Sequence, residues 1–250
     1  MHIAYDDKGT GQALVLVHGH PFDRTMWRPQ LDRFSQTHRV IVPDLRGYGE
    51  SPVVPGTFDM FARDIKDLLD RLGVDEVVMG GLSMGGQIAM EFHRLFPTRL
   101  RAWLLADTFP GVDTPDGRQF RYDTADRLEQ EGMAGYADEV IWKMVSPRNE
   151  HAAAHVLRMM RDAPPLGAAA ALRARAERPD YVHMLTQVRI PTLIVAGSED
   201  SYTPVSVAEE MHGLIAGSEL AVIEGAAHLP NLERQTEFDH RFQRFLDTVG

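Results

Sequence analysis

The stretch VVMGGLSMGGQIAME, residues 77–91, contains the most specific structural signal in this sequence. A short apolar run leads into a glycine-rich turn that carries one serine, Ser83, and a segment with helical spacing of apolar residues follows. Glycine has no Cβ, so the chain can turn sharply where larger residues would clash. The stretch therefore predicts a strand, a tight turn and a helix, with the Ser83 hydroxyl exposed at the turn.

Short apolar runs recur along the chain, each bounded by turn residues. Because they are apolar on both faces, they indicate parallel strands covered by helices on both sides. Amphipathic stretches at 59–73, 84–97 and 236–249 predict helices. The sequence therefore predicts an α/β fold with a mostly parallel central sheet flanked by helices. The predicted strands are 13–17, 40–42, 77–79, 102–106, 192–196 and 220–223.

Residues 108–185 interrupt this alternation of strands and helices. The segment contains helical patterns alone, including the alanine-rich stretch GAAAALRARA, which has strong helix propensity. An all-helical insertion between two core strands predicts a cap over one edge of the sheet. We therefore predict a core of residues 1–107 and 186–250 and a helical cap of residues 108–185.

The composition limits the classes of partner and compartment. Of the 250 residues, 36 are acidic and 26 are basic, which gives a formal net charge of −10. Nucleic acids and anionic membranes are held by basic patches, so we expect neither as the main partner. The absence of cysteine excludes disulfides, thiolate metal sites and a cysteine nucleophile. The sequence shows no signal-peptide pattern and no long apolar run, and we expect a cytoplasmic protein.

Ser83 stands in G-L-S-M-G, residues 81–85, between a predicted strand and a predicted helix. In this context a G-x-S-x-G turn presents a nucleophilic serine. The helix that follows directs its N-terminus at the same point, where it favours developing negative charge. The alternatives are a phosphate-binding glycine loop or a plain tight turn, and the flanking strand and helix favour the nucleophile.

A nucleophilic serine needs a base, and the base needs an acid that orients it. After a G-x-S-x-G turn of this kind, the acid and then the histidine follow along the chain. That order excludes Asp44, which precedes Ser83. Asp107 in LLADT and Asp200 in IVAGSEDSYTP both follow predicted strands. We prefer Asp200, because Asp107 stands where the chain leaves for the cap and is more suited to capping a helix or shaping the pocket.

His228, in IEGAAHLPNLE, is the expected base among the 11 histidines. It follows the last predicted strand on a loop of small residues, from which an imidazole can reach the serine. His151 and His155 have the i, i+4 spacing of metal ligands, but they lack the glutamate of H-E-x-x-H, and a solvated helix face is the favoured interpretation. We therefore predict no metal site and no organic cofactor.

Two backbone N–H groups are expected to hold the oxyanion that forms when a serine attacks a carbonyl. Met84, the residue after the nucleophile, supplies one of them. His20, in HGHPFD (18–23), is expected to supply the other. Pro21 has no N–H, and it keeps the residue before it out of the α conformation.

The substrate pocket is expected to be mostly apolar, with the imidazole of His20 as the one polar group that can bond the substrate. Aromatic and methionine side chains of the cap are expected to face it, although any one of them could instead join the cap to the core. The expected pocket residues are His20, Phe22, Phe109, Trp142, Met144, Tyr202 and Leu229.

Five motifs together resemble the α/β-hydrolase superfamily. The sequence is most similar to its cofactor-free serine esterase and lactonase branch, which includes 3-oxoadipate enol-lactonases and carboxylesterases. The resemblance covers nearly the whole chain and implies the triad Ser83, Asp200 and His228. The chain departs from many relatives at His20, where an apolar or aromatic residue is common. The motifs are VHGHPFDRTMW (17–27), PDLRGYGES (43–51), GLSMGG (81–86), AGSEDSYTP (196–204) and GAAHLPNLE (225–233).

These features lead us to expect a serine hydrolase of small-molecule carboxylic esters or lactones that works through an acyl-enzyme. The resemblance excludes haloalkane dehalogenases and epoxide hydrolases, in which an aspartate takes the place of Ser83. Two alternatives stay open: a hydrolase of carbon–carbon bonds in diketone-like substrates, and a ligand sensor that retains the triad. The expected partner is a small-molecule substrate, with a homodimer as a possible assembly.

Overall fold

The apolar runs of the sequence become neighbouring strands of one sheet in a computed structural model, which describes residues 1–249. The strands are β1 (Tyr5–Lys8), β2 (Ala13–Val17), β3 (Arg39–Pro43), β4 (Val77–Leu82), β5 (Leu100–Ala106), β6 (Thr192–Gly197) and β7 (Glu219–Ile223). They lie in the order β1-β3-β2-β4-β5-β6-β7. Strand β1 is antiparallel to β3, and the other neighbours are parallel. The predicted mostly parallel α/β sheet is confirmed.

Strand β1 has no counterpart among the predicted strands. Its sequence, YDDK, is polar and mostly exposed, so no apolar run marks it. It pairs with β3 along its whole length, with Tyr5 opposite Pro43 and Lys8 opposite Val40. Backbone pairing at the edge of the sheet, and not a local pattern of side chains, makes this segment a strand.

Helices lie between and after the strands, and the predicted helices 59–73, 84–97 and 236–249 correspond to α2, α3 and α11 of the list below. None of the described helices combines the length and the apolar character that crossing a membrane requires. In the described chain the helices are α1 (Arg28–Phe34), α2 (Phe58–Arg71), α3 (Met84–Leu95), α4 (Pro115–Glu131), α5 (Ala134–Met144), α6 (Glu150–Asp162), α7 (Pro165–Ala176), α8 (Val182–Leu185), α9 (Val205–Leu214), α10 (Pro230–Glu233) and α11 (Gln235–Val249).

Alternate residues of the inner strands pack on opposite faces of the sheet, as the strand period of two requires. On β2, Val15 and Val17 belong to a hydrophobic cluster with residues of α2 and α3. Leu14 and Leu16 belong to a second cluster with residues of α1 and α11. The predicted apolar stripe of α11 fills this second cluster with Phe238, Phe242, Phe245 and Leu246.

The chain between β5 and β6 forms helices α4 to α8 and contributes no strand to the described sheet. Both hydrophobic clusters continue from the sheet into these helices, through Leu128 of α4 on one side and Val156 of α6 on the other. The helical segment therefore shares its buried core with the sheet. The division of the chain into a core and a cap stays a prediction.

The carboxyl ends of the parallel strands meet at one edge of the sheet. The chain leaves β2 toward His20, β4 toward Ser83, β5 toward Asp107, β6 toward Asp200 and β7 toward His228. Open α/β sheets bind their ligands at this edge. The topology therefore gathers residues that are far apart in the sequence at one place.

Candidate active site

Ser83 lies in the turn between β4 and α3 with φ 56° and ψ −117°, a backbone conformation that non-glycine residues seldom adopt. The turn leaves no room for side chains beside it. A Cβ on Gly81 would lie 2.3 Å from the carbonyl oxygen of Gly85, and a Cβ on Gly85 would lie 2.1 Å from that of Val17. The Ser83 N–H donates to the carbonyl of Ala106 at 2.9 Å. Strained backbone held in place by its surroundings is typical of functional sites.

His228 and Asp200 form a buried hydrogen-bonded pair. Nδ1 of His228 lies 2.7 Å from Oδ2 of Asp200, and the two side chains are 4% and 0% exposed. The Thr203 hydroxyl donates to the same carboxylate oxygen, and the Tyr202 N–H donates to the other at 2.8 Å. Burial by itself would raise the pKa of Asp200, but the charge of His228 and these hydrogen bonds lower it below its usual range. Asp200 therefore stays ionised and can orient the imidazole of His228.

Asp107 lies beside this pair without bonding to His228. Its Oδ1 accepts the N–H of Gly197 at 2.8 Å, and its Oδ2 has no partner within residues 1–249. Burial raises the pKa of Asp107 well above its usual range, and the negative charge of Asp200 raises it further. Asp200, whose pKa is lowered, thus bonds His228, and Asp107, whose pKa is raised, lies behind this pair.

These three residues also form the cluster most suited to a metal ion in the described chain. Donor atoms of Asp107, Asp200 and His228 all lie within 4.8 Å of one another. However, Nδ1 of His228 already bonds Asp200, and burial raises the pKa of Asp107, which disfavours the ionised carboxylate that a cation needs. The arrangement is therefore better suited to orienting His228 than to holding a cation, and the absence of a metal requirement stays a prediction.

The two predicted oxyanion donors border Ser83. The Met84 N–H begins α3 directly after the serine, and the His20 N–H lies on the loop after β2. Neither N–H has an acceptor within residues 1–249. Gly19 brings the loop against the serine, because a Cβ there would lie 3.2 Å from the Cβ of Ser83. The peptide bond between His20 and Pro21 is cis.

The imidazole of His20 is buried and neutral. Its Nδ1 lies 2.7 Å from the Tyr48 hydroxyl, and its Nε2 has no partner among the described residues. Burial lowers the pKa of His20 well below its ordinary value, and the positive charges of Arg175 and Arg121 lower it further. A neutral ring can both donate and accept a hydrogen bond, so Nε2 is available to a polar group of a ligand.

A cavity of about 300 Å³ has Ser83 and His228 on its wall. Four of the predicted pocket residues also line it, namely His20, Phe109, Met144 and Tyr202. A groove of about 610 Å³ between residues 53–59 and α7 is larger but contains neither Ser83 nor His228. The presence of Ser83 and His228, and not the cavity volume, therefore identifies the first cavity as the candidate site.

Three predicted pocket residues do not line this cavity. Phe22 and Leu229 are fully buried in the hydrophobic cluster that contains α1 and α11. Trp142 is 51% exposed on the surface of α5. Met144 lies only two residues further along α5, which turns it about 200° around the helix axis and into the cavity.

The cavity wall includes two arginines that the predicted apolar pocket lacks. Arg121 comes from α4 and Arg175 from α7, and Thr124 and Tyr136 line the same cavity. The prediction that His20 is the one polar group of the pocket is therefore wrong. Nine arginines lie between residues 108 and 185, and charged residues on helices usually face solvent, so the sequence contains no signal for which of them point inward.

Glu233 holds the loop that carries His228, a role that the sequence analysis misses. Its buried carboxylate accepts the N–H groups of Ala227 and Leu229, each at 3.0 Å, so it braces the loop on both sides of the histidine. It also accepts the Ser146 N–H at 2.8 Å, just after α5. The imidazole is thus anchored to the helical segment as well as to the sheet.

The chain is similar to known hydrolases over almost its whole length. A model of the alpha/beta hydrolase family matches residues 14–240. The 3-oxoadipate enol-lactonase 1 of Acinetobacter baylyi is 30% identical over 242 residues, which cover 95% of this chain and 89% of that enzyme. A solved structure of a thermophilic esterase from Thermogutta terrifontis with malate bound is 38% identical, with a TM-score of 0.97, over 99% of this chain and 93% of that one. The enol-lactonase from Burkholderia xenovorans LB400 is 25% identical, with a TM-score of 0.90, over 98% and 96% of the two chains.

Proposed function

The chain belongs to the alpha/beta hydrolase family, and we propose that it hydrolyses carboxylic esters or lactones of small molecules through an acyl-enzyme on Ser83. One observation carries the proposal. A serine in a strained turn shares a cavity wall with a histidine whose other side is bonded to a buried, ionised aspartate. The similarity to esterases and enol-lactonases supports the substrate class.

In the first half of the reaction, Oγ of Ser83 attacks the carbonyl carbon of the ester, and Nε2 of His228 takes the hydroxyl proton. Asp200 stabilises the imidazolium that results. The N–H groups of Met84 and His20 hold the oxyanion of the tetrahedral intermediate. The intermediate collapses, His228 returns the proton to the leaving alcohol, and an acyl-enzyme remains. With a lactone the alcohol stays attached to the acyl group as a free hydroxyl.

In the second half, His228 removes a proton from a water molecule, and the resulting hydroxide attacks the acyl carbon. The same two N–H groups hold the second oxyanion. Collapse of this intermediate breaks the bond to Oγ, which takes the proton back from His228, and the carboxylic acid leaves. No redox step and no cofactor are needed, and we expect exhaustive dialysis against a chelator to leave activity unchanged.

Covalent trapping tests the proposal directly. We expect a fluorophosphonate to label the wild-type protein once, on the peptide that contains Ser83, and to leave Ser83→Ala unlabelled. The same substitution should lower the hydrolysis of p-nitrophenyl acetate by about three orders of magnitude or more. Ser201→Ala, which changes an exposed serine next to Asp200, is the matched control and should stay active. Retention of more than about a tenth of the activity by Ser83→Ala would refute the assignment.

A substrate panel distinguishes this function from its two alternatives. Turnover of simple esters and lactones supports the proposal, whereas turnover of diketones alone would indicate a carbon–carbon bond hydrolase. A ligand sensor would turn over none of them and would instead show a ligand-dependent rise in melting temperature.

A further inference from the structure

The guanidinium of Arg175 lies in the catalytic cavity without a carboxylate partner. Arg175 is 9% exposed, and its Nε donates to Oε1 of Gln87 at 2.6 Å. Its two terminal amino groups have no acceptor within residues 1–249, and neither is sealed off from the cavity. These two donors open into the cavity with no protein acceptor, so both are available to a ligand that binds there.

The carboxylate of Asp113 lies near Arg175 but is bonded to two other arginines. Arg121 donates to it through Nε and Nη2, at 2.7 and 2.8 Å, and Arg178 donates through Nη1 at 2.6 Å. Asp113 thus bonds two of the three neighbouring guanidinium groups and leaves that of Arg175 without a carboxylate. In a chain with a net charge of −10, this side of the cavity is locally positive.

The excess positive charge is destabilising until an anion enters. Burial lowers the pKa of Arg175 well below its ordinary value, and the charges of Arg121 and Arg178 lower it further. Guanidinium nevertheless keeps its proton in proteins, so a bound anion is the effective way to offset the burial. The two oxygens of a carboxylate match the two free amino groups of one guanidinium.

We propose that Arg175 binds a carboxylate carried by the substrate, with Arg121 adding its charge, and that the enzyme therefore selects anionic esters or lactones. The inference rests on the proposed hydrolase function and names its substrate class. Gln87, which holds Arg175, lies one helical turn after Ser83, and its N–H donates to the Ser83 carbonyl at 3.2 Å. Because Arg175 is held this near to Ser83, we expect only a short chain of substrate atoms between the carboxylate and the reacting carbonyl.

The kinetic test compares two ethyl esters that differ in charge but little in shape. These are monoethyl glutarate and ethyl 5-methylhexanoate, in which an isopropyl group replaces the carboxylate, and proton release reports their hydrolysis. We expect the wild type to have the higher kcat/KM for the anionic ester. Arg175→Gln should lower the ratio of the two kcat/KM values at least about tenfold, as the loss of a hydrogen bond to a charged group predicts. Arg175→Lys keeps the positive charge but loses the planar guanidinium group. Its ratio should therefore lie between those of the wild type and Arg175→Gln.

Arg173→Gln is the matched control, because Arg173 lies on the same helix and outside the catalytic cavity. Its guanidinium pairs with Asp126 and Glu129. We expect its ratio to stay within about twofold of the wild type. A wild-type preference for the neutral ester, or an unchanged ratio in Arg175→Gln, would overturn the proposal. Melting temperatures of all variants verify folding, and if Arg175→Gln does not fold, Arg175→Lys and Arg121→Gln provide the same comparison.

A binding measurement distinguishes failure of this inference from failure of the proposed function. Calorimetry on Ser83→Ala measures glutarate binding without turnover, and adding Arg175→Gln should abolish the binding. That result supports the carboxylate site even if no ester is hydrolysed. The carboxylate site would be overturned if Ser83→Ala did not bind glutarate and the ratio of the two kcat/KM values were the same in the wild type and Arg175→Gln. Hydrolysis of the neutral ester by the wild type would still support the hydrolase function.

Discussion

Asp107 and Asp200 are neighbouring residues of one type whose pKa values are shifted in opposite directions. Their donor atoms lie within 4.8 Å of one another. The charge of His228 and the hydrogen bonds that Asp200 accepts lower the pKa of Asp200. Burial and the negative charge of Asp200 raise the pKa of Asp107. Two carboxyl groups so close together do not ionise together, and their surroundings decide which one carries the charge.

At the residue scale, we expect Asp200→Asn to lower kcat for a small ester by about three to four orders of magnitude. The amide would favour the wrong tautomer of His228 and would not stabilise the imidazolium. Asp107→Asn should retain most of the activity, because asparagine can still accept the Gly197 N–H and can donate to Asp200. Steady-state kinetics of both variants measure this, and the reverse ranking would show that Asp107 is the orienting acid.

A second residue-scale prediction concerns the dependence of stability on pH. Folded Asp107 keeps its proton above about pH 4, where an aspartate of the unfolded chain loses it. The folded state then binds more protons than the unfolded state, so this residue makes stability fall as pH rises above about 4. Asparagine ionises in neither state. Asp107→Asn should therefore raise the free energy of unfolding by an amount that grows with pH, by at most about 1.4 kcal/mol per unit.

Urea unfolding of the wild type and Asp107→Asn at pH 5 and pH 8 provides the measurement. The change in the free energy of unfolding on substitution is compared between the two pH values, so effects of the substitution that do not depend on pH cancel. A gain that is equal at both pH values would mean that Asp107 ionises normally in the folded protein.

At the element scale, the junction of β4 and α3 depends on close contact between two stretches of backbone. A Cβ on Gly85 would lie 2.1 Å from the carbonyl oxygen of Val17 and 2.8 Å from that of His18, and backbone cannot yield as a flexible side chain can. We expect Gly85→Ala to push apart the Ser83 turn and the loop after β2. Activity should be lost, and the melting temperature should fall by several degrees.

Gly135→Ala is the control for that substitution. Gly135 lies in α5, and a Cβ there would meet nothing within 4 Å. Alanine in a helix is more stable than glycine by about 0.5–1 kcal/mol, so this variant should keep its activity and melt slightly higher. Equal melting temperatures for the two variants would contradict the close-contact argument.

At the scale of the whole molecule, the hydrophobic clusters on the two faces of the sheet both extend into the helices between β5 and β6. Since the helical segment and the sheet share these clusters, we expect one cooperative unfolding transition by far-UV and near-UV circular dichroism and by activity. Leu128→Ala, which empties a fully buried position in α4, should destabilise the whole protein by about 2–5 kcal/mol.

Leu166→Ala removes a leucine that is 61% exposed on α7 and should change stability little. Two separate transitions, with Leu128→Ala affecting only one of them, would instead show that residues 108–185 form an independent cap domain.

Much of the fold and the catalytic candidates could be predicted from local sequence, because their signals lie within a few residues. A strand buried on both faces is a continuous apolar run, as in β2, and a turn that tolerates no Cβ is rich in glycine, as around Ser83. His228 and Asp200 could be proposed because each follows a predicted strand, and parallel strands end at one edge of the sheet. These inferences need chain order and side-chain type, and both are written in the sequence.

Local patterns of residues are thus sufficient to predict the parallel sheet, the serine turn and the order of the candidate acid and base. Three features emerge only from the folded chain: polar β1 is a strand, Trp142 faces outward while Met144 faces the cavity, and Arg175 lines the cavity without a carboxylate partner. The physical reason is that strand pairing at an edge, the rotation of a helix about its axis and the burial of a charge depend on contacts between residues far apart in the chain. The hydrophobic clusters and the shared carboxylate of Asp113 exist only once the helices have packed on the sheet.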